Sequence, residues 1–143
     1  MKKFLIGLLL LTLSVSIFSS DFSDRKMASF FKSLKKDQYE KGIVELLSNS
    51  ILEEKIVNVK QNLDNWINQF DQISTLYGNY IDYEKVNTKK LGNMEETTYL
   101  VYCTDYPIQI VITEYFNGSK SQLINLYFDD QTMDTLANYG KSY

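Results

Sequence analysis

Histidine is absent from the 143 residues, cysteine and proline occur once each, and glycine occurs six times. Without histidine the chain cannot build an imidazole acid–base relay or a His-rich metal site. The lone Cys103 has no second thiol with which to close an intrachain disulfide. Few prolines and glycines exclude collagen-like and low-complexity architectures. Positive charge is also sparse: 15 Lys and Arg stand against 18 Asp and Glu, for a formal charge of −3. The short pairs Lys35-Lys36 and Lys89-Lys90 read as solvated surface, so no basic track for nucleic acid is expected. What the chain does have is 44% hydrophobic and 14% aromatic residues, enough to bury the core of one domain.

The N-terminus has three parts. Lys2 and Lys3 precede an apolar run from Phe4 to Val15, and the small residues Ser14, Ser16, Ser19 and Ser20 follow. This is the pattern of a secretory leader over residues 1–20, with cleavage expected after Ser16, Ser19 or Ser20. The run is shorter than the roughly 18 to 20 apolar residues that span a bilayer, and Asp21 and Asp24 follow it closely. An exported product, periplasmic or secreted, without a stable membrane anchor after cleavage is therefore expected, and it forms one domain over residues 21–143. Cys103 lies in the apolar run Tyr99-Leu100-Val101-Tyr102-Cys103 and is read as a buried, inert thiol.

Helices precede strands, the order of an α+β domain. Met27, Phe30, Phe31 and Leu34 recur at i, i+3, i+4 and i+7, with Asp24 placed to cap the first helix. Tyr39, Ile43, Leu46 and Leu47 mark a second. Leu52, Ile56, Val59, Leu63, Trp66, Phe70, Ile73 and Tyr77 predict one long third helix ending at Gly78. That stripe also suits a coiled coil, but its bulky aromatics fit packing on a sheet better. Four strands are expected over about 80–90, 94–104, 107–116 and 120–128, joined by Leu91-Gly92-Asn93, Asp105-Tyr106-Pro107 and the hairpin dipeptide Asn117-Gly118. Consecutive hairpins give an antiparallel meander. Ile108, Ile110, Ile112 and Phe116, with Gln122, Ile124, Leu126 and Phe128, are expected to face the long helix. Asp129 and Asp130 are candidate caps for a closing helical turn carrying Met133, Leu136 and Tyr139.

Three stretches carry a family resemblance. Leu34-Lys35-Lys36-Asp37-Gln38-Tyr39-Glu40 is similar to the break between first helices, and Tyr77-Gly78-Asn79-Tyr80-Ile81-Asp82-Tyr83-Glu84 to the passage from long helix to first strand. Ile124 to Asp130 is similar to a closing strand. Together they resemble the nuclear-transport-factor-2-like, or cystatin-like, superfamily, including its small exported bacterial domains. The resemblance implies helices packed on a curved four-stranded antiparallel meander, with a cone-shaped pocket between them. Its enzymatic members use His or Asp in that pocket, and this chain has no His.

The candidate ligand-binding residues are Trp66, Phe70, Tyr102, Glu114, Phe116 and Phe128, placed to line a pocket for a small apolar molecule, although such aromatics also serve as ordinary core. Glu114 has two placements. The plainer one turns it to solvent at the frayed strand end; the other keeps it on the face of Ile108, Ile110 and Ile112, where burial would raise its pKa. Tyr99, Val111, Thr113 and Tyr115 are the candidate interface for a homodimer or an envelope protein on the outer sheet face, the surface this chain would use as a protein-interaction, inhibitor or accessory module. An enzyme of hydrolase or isomerase type would have to centre on Glu114, helped by Tyr102 or Tyr106. Neither cofactor nor metal is expected: Asp129, Asp130 and Asp134 lack the Gly and terminal Glu of a calcium loop. The leading expectation is a non-catalytic binding domain.

Overall fold

The computed structural model describes residues 18–132, with side chains from residue 22 onward. Its elements are α1 (Phe18–Leu34), α2 (Tyr39–Leu47), a π-helical turn (Glu53–Val57), α3 (Lys60–Tyr77), β1 (Tyr80–Leu91), β2 (Met94–Cys103), β3 (Ile108–Phe116) and β4 (Ser121–Asp129). The architecture is α+β, N-terminal helices followed by an open four-stranded antiparallel meander in the order β1-β2-β3-β4. The closing turn expected around Met133, Leu136 and Tyr139 lies outside the described residues.

Met27, Phe30, Phe31 and Leu34 form the buried stripe of α1. Asp24 does not cap it, because the chain is already helical from Phe18 through Asp24. At its other end the Gln38 N–H donates to the Ser33 carbonyl and that of Asp37 to Leu34, with Asp37 at φ 56°. This is a Schellman stop with Asp, one of the few residues that tolerate the left-handed region, in the usual glycine place. Helix α2 then returns so close that a Cβ on Gly42 would stand 3.1 Å from the Phe30 ring.

The third helix is not continuous. Its stripe breaks at Val59, which is extended (φ −109°, ψ 98°) and exposed. Ile56, Val57, Asn58 and Val59 are all weak helix formers, three of them β-branched. The Asn58 N–H reaches back to the Glu53 carbonyl in a wide turn, and Asn62 bridges the gap by donating to the Lys55 carbonyl at 2.7 Å. Gly78 ends α3 at φ +86°, with Thr104 so near that a Cβ would meet it at 2.7 Å.

Directly paired residues share a face, so the ladder defines the inner rows. Tyr83–Val101–Ile108, Lys85–Tyr99–Ile110–Phe128, Thr88–Thr97–Ile112–Leu126 and Lys90–Glu95–Glu114–Leu123 all point to the helices. Two expectations are corrected here. Tyr99, expected on the outer face, belongs to the inner one and is fully buried, like Val101 beside it on β2, and Tyr102, expected in the pocket, belongs to the outer face. On β4 the pairing jumps from Thr113–Asn125 to Glu114–Leu123, leaving Ile124 in a bulge. The extra residue reverses the alternation, so Leu123 replaces Ile124 in the core and Gln122 turns outward.

Candidate functional site

Two places on the inner side of the sheet carry unusual chemistry. The first is the β3 end of the inner face. Glu114 is only 2% exposed, and among the described residues neither carboxylate oxygen has a hydrogen bond of ordinary geometry. The plainer expectation, that strand fraying turns it to solvent, is thereby overturned: the strand keeps its alternation to Phe116 and carries the acid inward. Burial raises its pKa to about 7, helped by the nearby Glu95 and Asp24 and opposed by the Ser23 hydroxyl and Lys26. Around it, Tyr99 donates to Asp24 at 3.1 Å and Lys85 pairs with the same carboxylate at 2.8 Å. Lys26 is engaged elsewhere, donating to the Leu46 and Ser48 carbonyls at 3.0 and 2.5 Å at the end of α2. Its pKa is lowered by burial in spite of Glu53 and Glu114.

The second place is a cleft of about 300 Å³ between α3 and the ends of β3 and β4. Ile73, Ile108 and Phe128 form its apolar wall, Leu76 lies across it at 68% exposure, and Asp129 and Asp130 stand at its rim. The Tyr77 hydroxyl donates to Asp130, while Asp129 accepts the Gln131 N–H at 2.6 Å. None of the described ion pairs uses either acid.

The candidate aromatics divide. Trp66, Phe70 and Phe128 meet, with ring centroids 5.2 Å apart for Phe70–Phe128 and 6.1 Å for Trp66–Phe128. They fill the helix–sheet interface; of the three, Phe128 also lines the cleft. Phe116 is half-buried six residues along β3 from Ile110, the partner of Phe128, hence about 20 Å away. Tyr102 donates to Glu84 at 2.7 Å on the outer face, so it cannot assist Glu114. Tyr106 stacks on Tyr77, beyond the opposite end of β3.

Of the expected interface residues, Val111 is buried, Thr113 half-buried and Tyr115 exposed on the outer face, while Tyr99 faces the helices. Sequence reading missed Glu95, which alternation from a buried Cys103 through Val101, Tyr99 and Thr97 would have placed beside Glu114. Nothing local in the sequence marks Leu76, Tyr77 and Asp130 as one cleft, because α3 and β4 are joined only by tertiary packing.

Among the described residues there is no cluster of three or more potential metal ligands, and no helix is long and apolar enough to cross a membrane. No family model matches the chain, and comparison with curated proteins and with solved structures likewise gives no match.

Proposed function

We propose that this chain is an exported, non-catalytic binding domain whose α3–β4 cleft takes a small amphiphile with an apolar body and a cationic head. The observation that carries this reading is the pairing of an apolar wall, Ile73, Ile108 and Phe128, with the acidic rim of Asp129 and Asp130. A volume of about 300 Å³ is at the lower end of small-molecule sites, which suits a short chain better than a large ring system. The cleft offers no Ser, Cys or Lys to act as a nucleophile. The leader pattern of residues 1–20 supports export, and helices followed by a meander support the nuclear-transport-factor-2-like resemblance.

The test is a titration with octylammonium, octanol and octanoate. It is read by the single tryptophan, Trp66, whose ring abuts Phe128. The proposal expects saturable binding of octylammonium, at least five-fold weaker in Asp130→Asn, and little response to octanoate. Equal responses to all three ligands would contradict it.

A second reading is self-association through the outer sheet face. It is favoured by an exposed apolar row across three strands, Leu91, Met94 and Tyr115, each paired with the next.

A further inference from the structure

Asn117 and Lys120 close the β3–β4 hairpin just beyond its last strand pair, Phe116 and Ser121. The Asn117 N–H donates to the Lys120 carbonyl at 3.2 Å. A regular two-residue hairpin returns that bond from the second N–H to the first carbonyl. Here the Lys120 N–H goes instead to the side-chain oxygen of Asn117, Oδ1, at 3.1 Å. The same Oδ1 accepts the Ser119 N–H at 3.1 Å and the Ser119 hydroxyl at 3.0 Å. The hairpin is thus closed by an Asx turn in which one amide oxygen holds donors from two residues.

Donors about 3 Å from an oxygen on which negative charge develops lower the barrier to attack at its carbon. For the Asn117 amide the nearest nucleophile is the next backbone nitrogen, that of Gly118. Gly118 has no side chain to crowd the approach, and its surroundings are open: at φ +97°, even an added Cβ would meet nothing within 4 Å. Residues 117–120 are all exposed, so water reaches them. Asn117-Gly118 is the only Asn-Gly step in the chain. The contrast with Asn49 is direct, because the following Ser50 is buried and its N–H is committed to the Leu47 carbonyl at 3.2 Å.

We propose that Asn117 is a self-modifying site, at which the Gly118 nitrogen closes on the side-chain carbon and the residue converts to aspartate and isoaspartate without an enzyme. The Gly118 nitrogen loses its proton to base and bonds to Cγ, while charge builds on the cradled Oδ1. The Cγ–Nδ2 bond then breaks, Nδ2 takes up a proton and leaves as ammonia, and a five-membered imide remains. Water opens the imide at either carbonyl. Opening at Cγ gives aspartate, whose carboxylate keeps the Ser119 and Lys120 donors as charge-assisted bonds. Opening at the main-chain carbon gives isoaspartate, which routes the backbone through Cβ and Cγ and lengthens the hairpin loop by one carbon. Register in a hairpin follows loop geometry, so isoaspartate frays the Phe116–Ser121 end. The Phe116 N–H also donates to the Asn93 carbonyl at 2.9 Å, so the loosening reaches the β1–β2 turn beside Leu91 and Met94.

The test holds the purified full-length chain at pH 8, once in buffer and once in guanidinium chloride. Timed samples are read by peptide mapping for the exchange of amide for acid and by isoaspartyl methyltransferase labelling. The expected result is conversion confined to the peptide containing Asn117, faster in the native chain than in the unfolded one. Ser119→Ala removes one donor and leaves the Asn-Gly step intact, so conversion should slow about five-fold, the worth of an ordinary hydrogen bond. Asn117→Gln should abolish it, and melting temperatures confirm that both variants are folded. Conversion slower in the native chain than in the unfolded one, or unchanged or faster in Ser119→Ala, overturns the proposal. So does conversion of another asparagine at the same rate.

Discussion

Glu95 and Glu114 stand directly opposite each other on β2 and β3, both facing the helices, and Lys90 neutralises only the first. Two like charges at that spacing cannot both be ionised cheaply. Glu114 binds its proton more tightly in the folded chain than in the unfolded one, with a pKa raised from 4.5 to about 7. Stability is then greatest below about pH 4.5 as far as this group is concerned, and falls as pH rises to 7, by about 3 kcal/mol in all. Urea unfolding of the full-length chain at pH 5 and pH 8 should show that fall, and Glu114→Gln should flatten it. A Glu114→Gln variant with the same pH slope as the parent would show that the slope comes from other groups.

Phe70 is the hub of the helix–sheet interface, fully buried and touching Phe30, Trp66 and Phe128. Phe70→Ala should cost about 3 to 5 kcal/mol, because the three remaining rings cannot close over the gap together. Chemical denaturation measures this directly.

Lys26 on α1 serves α2 by donating to the Leu46 and Ser48 carbonyls, where the helix dipole also favours a cation. Lys26→Met keeps the stem and loses the charge. The expected loss is about 2 kcal/mol, the value of hydrogen bonds from a charged donor, with hydrogen exchange at the end of α2 accelerated. Unchanged exchange there would contradict the capping role.

Cys103 faces the core, and burial pushes its thiol up to about 11. At pH 8 the native protein should react with iodoacetamide at least a hundred-fold more slowly than the urea-unfolded chain, since both thiolate fraction and access are reduced. Mass spectrometry of timed samples reads the ratio, and rapid native labelling would place Cys103 at the surface.

If the outer face mediates self-association, Tyr115→Ala should shift the sedimentation profile toward monomer with little change in melting temperature, since Tyr115 is exposed. An unchanged profile would remove that reading.

The fold class and the strands were legible because hairpin signals at Gly92-Asn93 and Asn117-Gly118 bracket β-branched and aromatic runs. Residues 80–91, 94–103, 108–116 and 121–129 lie within a residue or so of expectation. What sequence could not give was phase. An unpaired Ile124 reverses β4, and the π-turn at Glu53–Val57 with the kink at Val59 interrupts a stripe that reads as one helix. Neither event has a strong local signal, since bulges and kinks are chosen by what packs across them. The face of Tyr99 and Tyr102 was legible, by contrast, had the burial of Cys103 been carried two residues at a time along β2. Glu114 was visible as a candidate, but its burial depended on β3 holding its alternation through to Phe116.

The proposed occupant of the cleft between α3 and β4 is a small cationic amphiphile. The most direct test is native mass spectrometry of the protein taken from its own organism, alone and as Asp130→Asn. The account predicts one additional small mass per chain, released on denaturation, carrying an amine or quaternary ammonium on an apolar chain, and largely missing from the variant. A bare polypeptide mass, or a bound molecule kept equally well by Asp130→Asn, would contradict it.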